Sequence, residues 1–161
     1  MALKIIPDSD PILHTACESF NPRNTDFPLK ETIQEMFVLM EEKGGIGLAA
    51  PQVGINMRFF VMEMNGVTRA VLNPKITWKN NELSNNTEGC LSYPGIIVRV
   101  VRPRSIRVQF STASGFTRKK TLYGTDARCF MHEVDHLNGV VIGDIGELVS
   151  VRVQHNRPEK K

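Results

Sequence analysis

The sequence lacks the features that mark several broad classes of protein. It has only three cysteines, an odd number at widely spaced positions, which argues against a disulfide framework and for a reducing compartment. No apolar run approaches the ~20 residues of a membrane-spanning helix, and an acid and a proline come too early for a secretory signal. The net formal charge is only +3, too small to indicate a nucleic-acid binder. We therefore expect a cytoplasmic protein that associates with neither membrane nor nucleic acid.

The chain also lacks any sign of a domain boundary, since it contains no internal repeat and no low-complexity linker. Its 41% apolar and 23% charged residues are typical of a globular domain. A length of 161 residues is enough to bury a core without disulfides or structural metals. We expect one domain over residues 1–161, with a short C-terminal tail from about residue 149.

Hydrophobic periodicity predicts two helices among several strands. The first helix is predicted over residues 27–43, with Asp26 as its N-cap and Gly44 at its end. The second is predicted over residues 126–138, followed by Gly139. Strands are predicted over residues 58–64, 70–79, 96–101, 105–111, 116–122 and 148–153. This pattern favours an α+β fold in which short, mostly antiparallel sheets pack around a central helix.

The most informative segment is residues 132–136, which read His-Glu-Val-Asp-His within the second predicted helix. Histidines four residues apart share one helix face, so His132 and His136 can bind the same metal ion. Glu133 can then take a proton from a water molecule that the ion activates. Cys129 shares this face. The other face carries the apolar residues predicted to meet the core, namely Ala127, Phe130, Val134 and Leu137.

These residues alone leave the third ligand open. Cys129 lies seven residues from His136, about 10 Å along the helix axis, which ligand bonds of about 2.0–2.3 Å cannot easily span. The extended metalloprotease pattern needs a histidine where this chain has Ile142, and Glu147 lies in a poor helix candidate. Cys90 remains, although a buried, inert thiol is the ordinary interpretation of such a cysteine.

Three segments together resemble the peptide deformylase family. Residues 45–52 read Gly-Ile-Gly-Leu-Ala-Ala-Pro-Gln, residues 88–92 read Glu-Gly-Cys-Leu-Ser, and residues 132–136 complete the set. Each motif alone is weakly specific, but their order and spacing match the family. The likeness runs from about Lys4 to Asp144, which is most of the chain.

The resemblance implies an activity and a cofactor. Peptide deformylases are metal-dependent hydrolases that remove the N-formyl group from nascent chains beginning with formyl-methionine, and they release formate. The ligands implied are Cys90, His132 and His136. The ion implied is Fe²⁺, with Zn²⁺, Ni²⁺ or Co²⁺ as alternatives. The implied partners are formyl-methionyl nascent peptides and, with them, the ribosome. We expect a monomer because one chain contains the whole site.

The resemblance also implies catalytic and substrate-binding roles. Glu133 would act as the general base and later give its proton to the leaving amine. Gln52 and the backbone N–H of Leu91 would hold the developing oxyanion. Contacts with the extended substrate are implied for Ile46, Gly47 and Gly89. Candidates for an apolar slot around the methionine side chain are Ile46, Cys129 and Phe130.

Two departures from the family pattern are visible. Met131 stands where the family usually has Gln, on a face away from the ligands, so altered packing is expected there. The C-terminal part is short, which leaves ribosome docking through a C-terminal helix without support. We also expect Glu88 either to brace the Cys90 turn or to contact substrate, and Asp135 to pair with an arginine such as Arg102.

Two other functions fit parts of the pattern. A metalloprotease acting on internal peptide bonds would use the same helix, but the chain lacks its further ligand. A non-catalytic zinc-binding module would fill the fourth coordination position with protein. The residues available for that position are His14, Cys17, Cys129 and His155, none of them well placed by sequence.

Overall fold

The structure is a computed structural model and describes residues 2–151. The helices are α1 (Leu29–Glu42), α2 (Gly124–Leu137) and the short α3 (Ile142–Ile145), with 3-10 helices at Pro11–His14 and Ala50–Val53. The strands are β1 (Gly47–Ala49), β2 (Phe59–Met64), β3 (Val67–Lys79), β4 (Leu83–Cys90), β5 (Tyr93–Pro103), β6 (Ser105–Ser111), β7 (Thr117–Tyr123) and β8 (Glu147–Val151). No helix in this part of the chain is both long and apolar enough to cross a membrane.

The strands form two antiparallel sheets. The large sheet has the order β1-β2-β3-β6-β7, and the small sheet has the order β4-β5-β8. Both lie around α2, so the predicted α+β fold with antiparallel sheets and a central motif-bearing helix is confirmed.

Strand alternation places two different apolar layers on the large sheet. One layer packs against α2, where the rings of Phe60 and Phe130 lie 5.2 Å apart. The opposite layer packs against α1, which buries Ile33, Met36 and Met40 in it. Burial of these two layers supplies the main hydrophobic stabilisation of the fold. Packing of the first layer holds α2 firmly against the large sheet.

The small sheet has its own apolar cluster. Val98 and Val100 of β5 pack against Ile142 of α3, with Tyr93 and Ile96 beside them. None of these residues belongs to the cluster that contains α2. The small sheet therefore contacts α2 through polar side chains instead of a shared apolar cluster.

An exposed end of strand β3 in the large sheet carries the only tryptophan of the sequence. Trp78 on β3 is 40% exposed, and the guanidinium of Arg107 on β6 lies 4.8 Å from the centre of its ring. This distance is within the range of a cation–π interaction.

Several elements differ from the predictions, among them strand β1 and helix α3, which were not predicted. Asp26 does not cap α1: the N-cap is Pro28, without a side-chain hydrogen bond, and the helix starts at Leu29. A residue that precedes proline avoids the helical region, which excludes Phe27 from the helix. Strand β4 was not predicted at all. The predicted strand 148–153 is found as Glu147–Val151, and its last two residues lie outside the described part.

Candidate metal centre

Three potential ligand atoms converge between the small sheet and α2. The ligand atoms of Cys90, His132 and His136 all lie within 4.8 Å of one another. The Cys90 Sγ is 3.3 Å from His136 Nε2. Bonds of about 2.0–2.3 Å around a tetrahedral ion place neighbouring ligand atoms roughly 3.5 Å apart. The three residues therefore fit one divalent ion, and the mixed thiolate and imidazole donors suit a borderline metal.

The elements explain how these residues meet. His132 and His136 are one turn apart on α2, and both are buried. Cys90 is the last residue of β4, directly after an irregularity in the pairing of β4 with β5. That irregularity turns the end of the strand toward the helix. Cys90, the half-buried ligand, lines a cleft of ≈ 1310 Å³, while His136, only 1% exposed, lies behind it.

The two histidines have different surroundings. His132 Nδ1 lies 2.9 Å from Glu88 Oε1, which leaves Nε2 for an ion. Burial alone lowers the pKa of His132, but its hydrogen bonds with Cys90 and Glu88 and the nearby negative charges raise it to about 10, so an ion that binds at Nε2 must displace a proton. Burial and the charge of His132 lower the pKa of His136 to about 3. His136 is thus held as the neutral imidazole that a metal requires.

Glu133 is a buried carboxylate with a free oxygen. It is 3% exposed, and its Oε1 has no hydrogen-bond partner. Burial raises its pKa to about 7, although the charge of His132 opposes the shift. A carboxyl group with a pKa near neutrality can both accept and donate a proton at physiological pH.

Gly47 of β1 faces this carboxylate at close range. A Cβ atom at Gly47 would lie 2.5 Å from Glu133 Oε2 and 2.8 Å from Cys129 Sγ. Contacts this short would force these side chains to shift, so glycine is what lets β1 approach α2 this closely without disturbing Glu133.

Gln52 is fixed by its own 3-10 helix. Its Oε1 accepts a hydrogen bond of 2.9 Å from the Ala49 N–H. The amide therefore presents Nε2 to the site, where it lies 3.2 Å from Ser92 Oγ and 3.5 Å from Cys90 Sγ. A buried amide held at one end supplies a hydrogen-bond donor that needs no reorientation during a reaction.

A buried ionic cluster surrounds Glu88. Arg102 binds both oxygens of Glu88, at 2.5 and 2.9 Å, and also binds Asp135 at 2.9 Å. Arg128 binds Glu88 Oε2 at 2.7 Å. Burial would raise the pKa of Glu88, but the hydrogen bonds from Arg102 and His132 and their charges lower it to about 2. The predicted Asp135–Arg102 pair is confirmed, whereas sequence reasoning missed Arg128.

The other candidate site residues, apart from Phe130, line the cleft. Ile46, Gly47, Gln52, Gly89, Leu91 and Cys129 all border it, together with Glu133. Strand β1 is at the edge of the large sheet, paired only with β2, so its other side faces this space. Phe130 does not border the cleft. It is fully buried against Phe60 and Phe110, so its prediction as part of a side-chain slot is wrong.

The residues considered for a fourth protein ligand lie elsewhere or do not join the cluster. Within residues 2–151 the cluster contains only Cys90, His132 and His136. His14 Nε2 contacts the Asp8 carbonyl, and the Cys129 thiol lies 3.5 Å from the Ile46 carbonyl. His155 is outside the described residues. Met131 of α2 is buried in the apolar cluster that α2 shares with the large sheet and does not join the ligand cluster.

The chain is similar to known proteins over most of its length. The sequence profile of the polypeptide deformylase family matches residues 2–149. The chain is 42% identical to the peptide deformylase of Thermotoga neapolitana over an alignment of 135 residues. This alignment covers 84% of this chain and 81% of that protein.

Solved structures show the same similarity. The crystal structure of peptide deformylase from Thermotoga maritima has a TM-score of 0.84 and 41% identity, covering 90% of this chain and 97% of that one. A peptide deformylase from Acinetobacter baumannii, solved with Met-Ala-Ser bound, has a TM-score of 0.82 and 27% identity, covering 90% and 98%.

Proposed function

The chain belongs to the polypeptide deformylase family and is a metal-dependent hydrolase that removes the formyl group from N-terminal methionine, and from this premise we propose that Cys90, His132 and His136 hold its metal ion. The observation that carries this proposal is the convergence of one sulfur and two imidazole ligand atoms within 4.8 Å of one another. Neither a metalloprotease nor a zinc-binding module is favoured by the family.

We propose that the ion is Fe²⁺, with Zn²⁺, Ni²⁺ or Co²⁺ able to replace it. A thiolate with two imidazoles suits any of these borderline divalent ions. The ion, when bound, supplies Lewis-acid activation of water at neutral pH.

Glu133 acts as the base and then as the acid. Its partner-free Oε1 takes a proton from the attacking water, and the same oxygen later delivers that proton to the leaving amine. The support for both roles is the burial of this carboxylate and its pKa of about 7.

Gln52 and Leu91 stabilise the developing oxyanion. Gln52 Nε2 donates to it from a fixed position because Ala49 holds the other end of the amide. The backbone N–H of Leu91 donates from beside Cys90. One such donor commonly contributes about 10²–10³-fold to kcat.

The substrate lies extended along the cleft. The free edge of β1 at Gly47, with Ile46 directly before it in the cleft lining, is suited to backbone hydrogen bonds with an extended peptide. Gly89 borders the opposite side of the cleft and leaves room for the substrate backbone. The Met-Ala-Ser peptide in the Acinetobacter baumannii relative has the sequence expected of such a product.

The cellular setting follows from the substrate. Formylated nascent peptides emerge from the ribosome in the cytoplasm, where we place this enzyme as a monomer associated with ribosomes. Its catalytic unit is one domain over the whole chain, with the short tail from about residue 149.

Oxidation tests the assignment of iron. Protein purified without oxygen is expected to contain about one iron per chain and to release formate from formyl-Met-Ala-Ser. Exposure of the same sample to air is expected to lower the rate because it oxidises ferrous iron. The metal content and the rate of formate release are measured before and after exposure to air. Equal rates, or a resident zinc ion, would refute the iron assignment.

Gly47→Ala is expected to lower kcat by about 100-fold. The added methyl group would push the Glu133 carboxylate aside by roughly 1 Å, and a shift of that size can cost about 10² in rate. Formate release and metal content are measured together. Gly89→Ala is a control for folding and metal content only, because its Cβ would meet nothing closer than 3.5 Å but Gly89 lies beside the substrate. A Gly47→Ala enzyme of wild-type rate would contradict the close approach of β1 to Glu133.

A further inference from the structure

The candidate metal centre lies between the small sheet and α2, which share no apolar cluster. The histidines belong to α2, which shares its apolar cluster with the large sheet. Cys90 belongs to β4 of the small sheet, whose apolar cluster instead includes α3. Leu91, next to Cys90, packs against the apolar cluster of α1, but not against α2. The distance between the sulfur and the two histidines therefore depends largely on polar contacts between the small sheet and α2.

Arg128 makes most of these contacts from the helix side. Its Nη1 donates to Glu88 Oε2 at 2.7 Å and to the Val100 carbonyl at 2.9 Å. Its Nη2 donates to the carbonyl and the hydroxyl of Ser84, both at 3.0 Å. One guanidinium thus ties α2 to both β4 and β5. The Arg128 side chain is only 14% exposed, so water competes little for these bonds.

Arg128 is also placed to act on the ligands. It precedes His132 by one helical turn, and the Glu88 that it binds precedes Cys90 by two residues on β4. The same Glu88 orients the His132 ring. Contacts of this kind, one step removed from a metal ligand, commonly change metal affinity by about 10–100-fold.

The other arginine of the cluster cannot replace this contact. Arg102 is on β5 and Glu88 is on β4, so their ion pair lies within the small sheet. Arg102 reaches α2 only through Asp135, whose side chain is 27% exposed. Since solvent weakens that second pair, Arg128 is the stronger link between sheet and helix.

We propose that Arg128 is a positioning residue that holds the Cys90-bearing strand at ligand distance from His132 and His136. This proposal rests on the proposed ligand set. Loss of the guanidinium would leave Glu88 with one arginine instead of two and would release Ser84 and Val100 from the helix. The small sheet would then move relative to α2, and the sulfur would no longer be held for the ion.

Cobalt titration of the metal-free protein tests the proposal. Co²⁺ bound by a thiolate gives a charge-transfer absorption band, so the spectrum reports sulfur ligation separately from activity. Arg128→Met is expected to weaken Co²⁺ binding by about 10–100-fold and to reduce or shift this band. In the iron enzyme, kcat is expected to fall while KM changes little, because Arg128 acts on the reacting centre through the ligands.

Three further variants separate the possible causes. Arg128→Lys keeps the charge near Glu88 but cannot bind all four acceptors, so it should restore part of the affinity and of the band. Arg104→Met removes an exposed arginine and should leave binding, spectrum and rate unchanged. Cys90→Ser should abolish the charge-transfer band if Cys90 is a ligand.

The outcomes are distinct. Wild-type Co²⁺ affinity and spectrum in Arg128→Met, with the band lost in Cys90→Ser, would overturn the role of Arg128 alone. A normal band in Cys90→Ser would instead overturn the ligand set. If Arg128→Met does not fold, Arg128→Lys decides: a folded Lys variant with wild-type affinity and spectrum would refute the proposal, and weakened binding supports it.

Discussion

Glu133→Gln is expected to reduce formate release by about 10²–10⁴-fold while the protein keeps its metal. Glutamine has nearly the same size as glutamate, so it can occupy the same buried position without opening a cavity. It cannot take a proton from water, however, and it cannot return one to the leaving amine. The loss should appear in kcat, because the carboxylate acts only while the bond is being broken. The measurement is formate release from formyl-Met-Ala-Ser, with metal analysis of the same samples.

The matched control for Glu133 is Glu63 on β2. Its side chain is exposed and lies outside the cleft, so Glu63→Gln should retain the wild-type rate. A Glu133→Gln enzyme that released formate at full rate would remove Glu133 from the mechanism. Loss of the metal from this variant would mean that Glu133 acts chiefly in metal binding.

Cys90→Ala is expected to lower metal affinity by more than about 100-fold. Removal of a contact one step beyond the ligands already costs about 10–100-fold, and this change removes a ligand itself. The variant should be purified with little metal and little activity. Metal analysis and titration of the metal-free protein with Co²⁺ provide the measurement.

The control for Cys90 is another cysteine close to the same site. Cys129 is on the ligand helix near Glu133, but its thiol is not in the ligand cluster. Burial and the charge of Glu133 raise its pKa well above the usual range, so the thiol stays protonated. Cys129→Ala should therefore retain the metal. Equal metal content in Cys90→Ala and the wild type would exclude Cys90 as a ligand.

The fold was predictable where side-chain alternation or helical spacing is strong. Strand β6 was predicted with its observed limits because Ile106, Val108 and Phe110 alternate with polar residues. Strand β4 was missed because residues 83–90 are mostly polar, with no apolar alternation. Its extended form depends on pairing with β5, and such distant pairing leaves no local signal.

The site shows the same division between local and distant information. The spacing of His132, Glu133 and His136 on one helix could be read from the sequence because a helix fixes it. The contribution of Arg128 could not, because an arginine on a helix usually faces solvent and its partners are 28–44 residues away. Phe130 was misplaced for a related reason: spacing alone does not say which apolar residue borders a cleft and which is buried beneath it.

The tryptophan of the cation–π pair, together with a Co²⁺ ion bound at the metal centre, would give this enzyme two separate optical reporters. Trp78 is the only tryptophan, so intrinsic fluorescence comes almost entirely from the exposed end of β3 in the large sheet. Cobalt absorption, in contrast, would come from the junction between the small sheet and α2. Denaturation followed by both signals can therefore show whether the small sheet separates from the helix before the rest of the molecule unfolds.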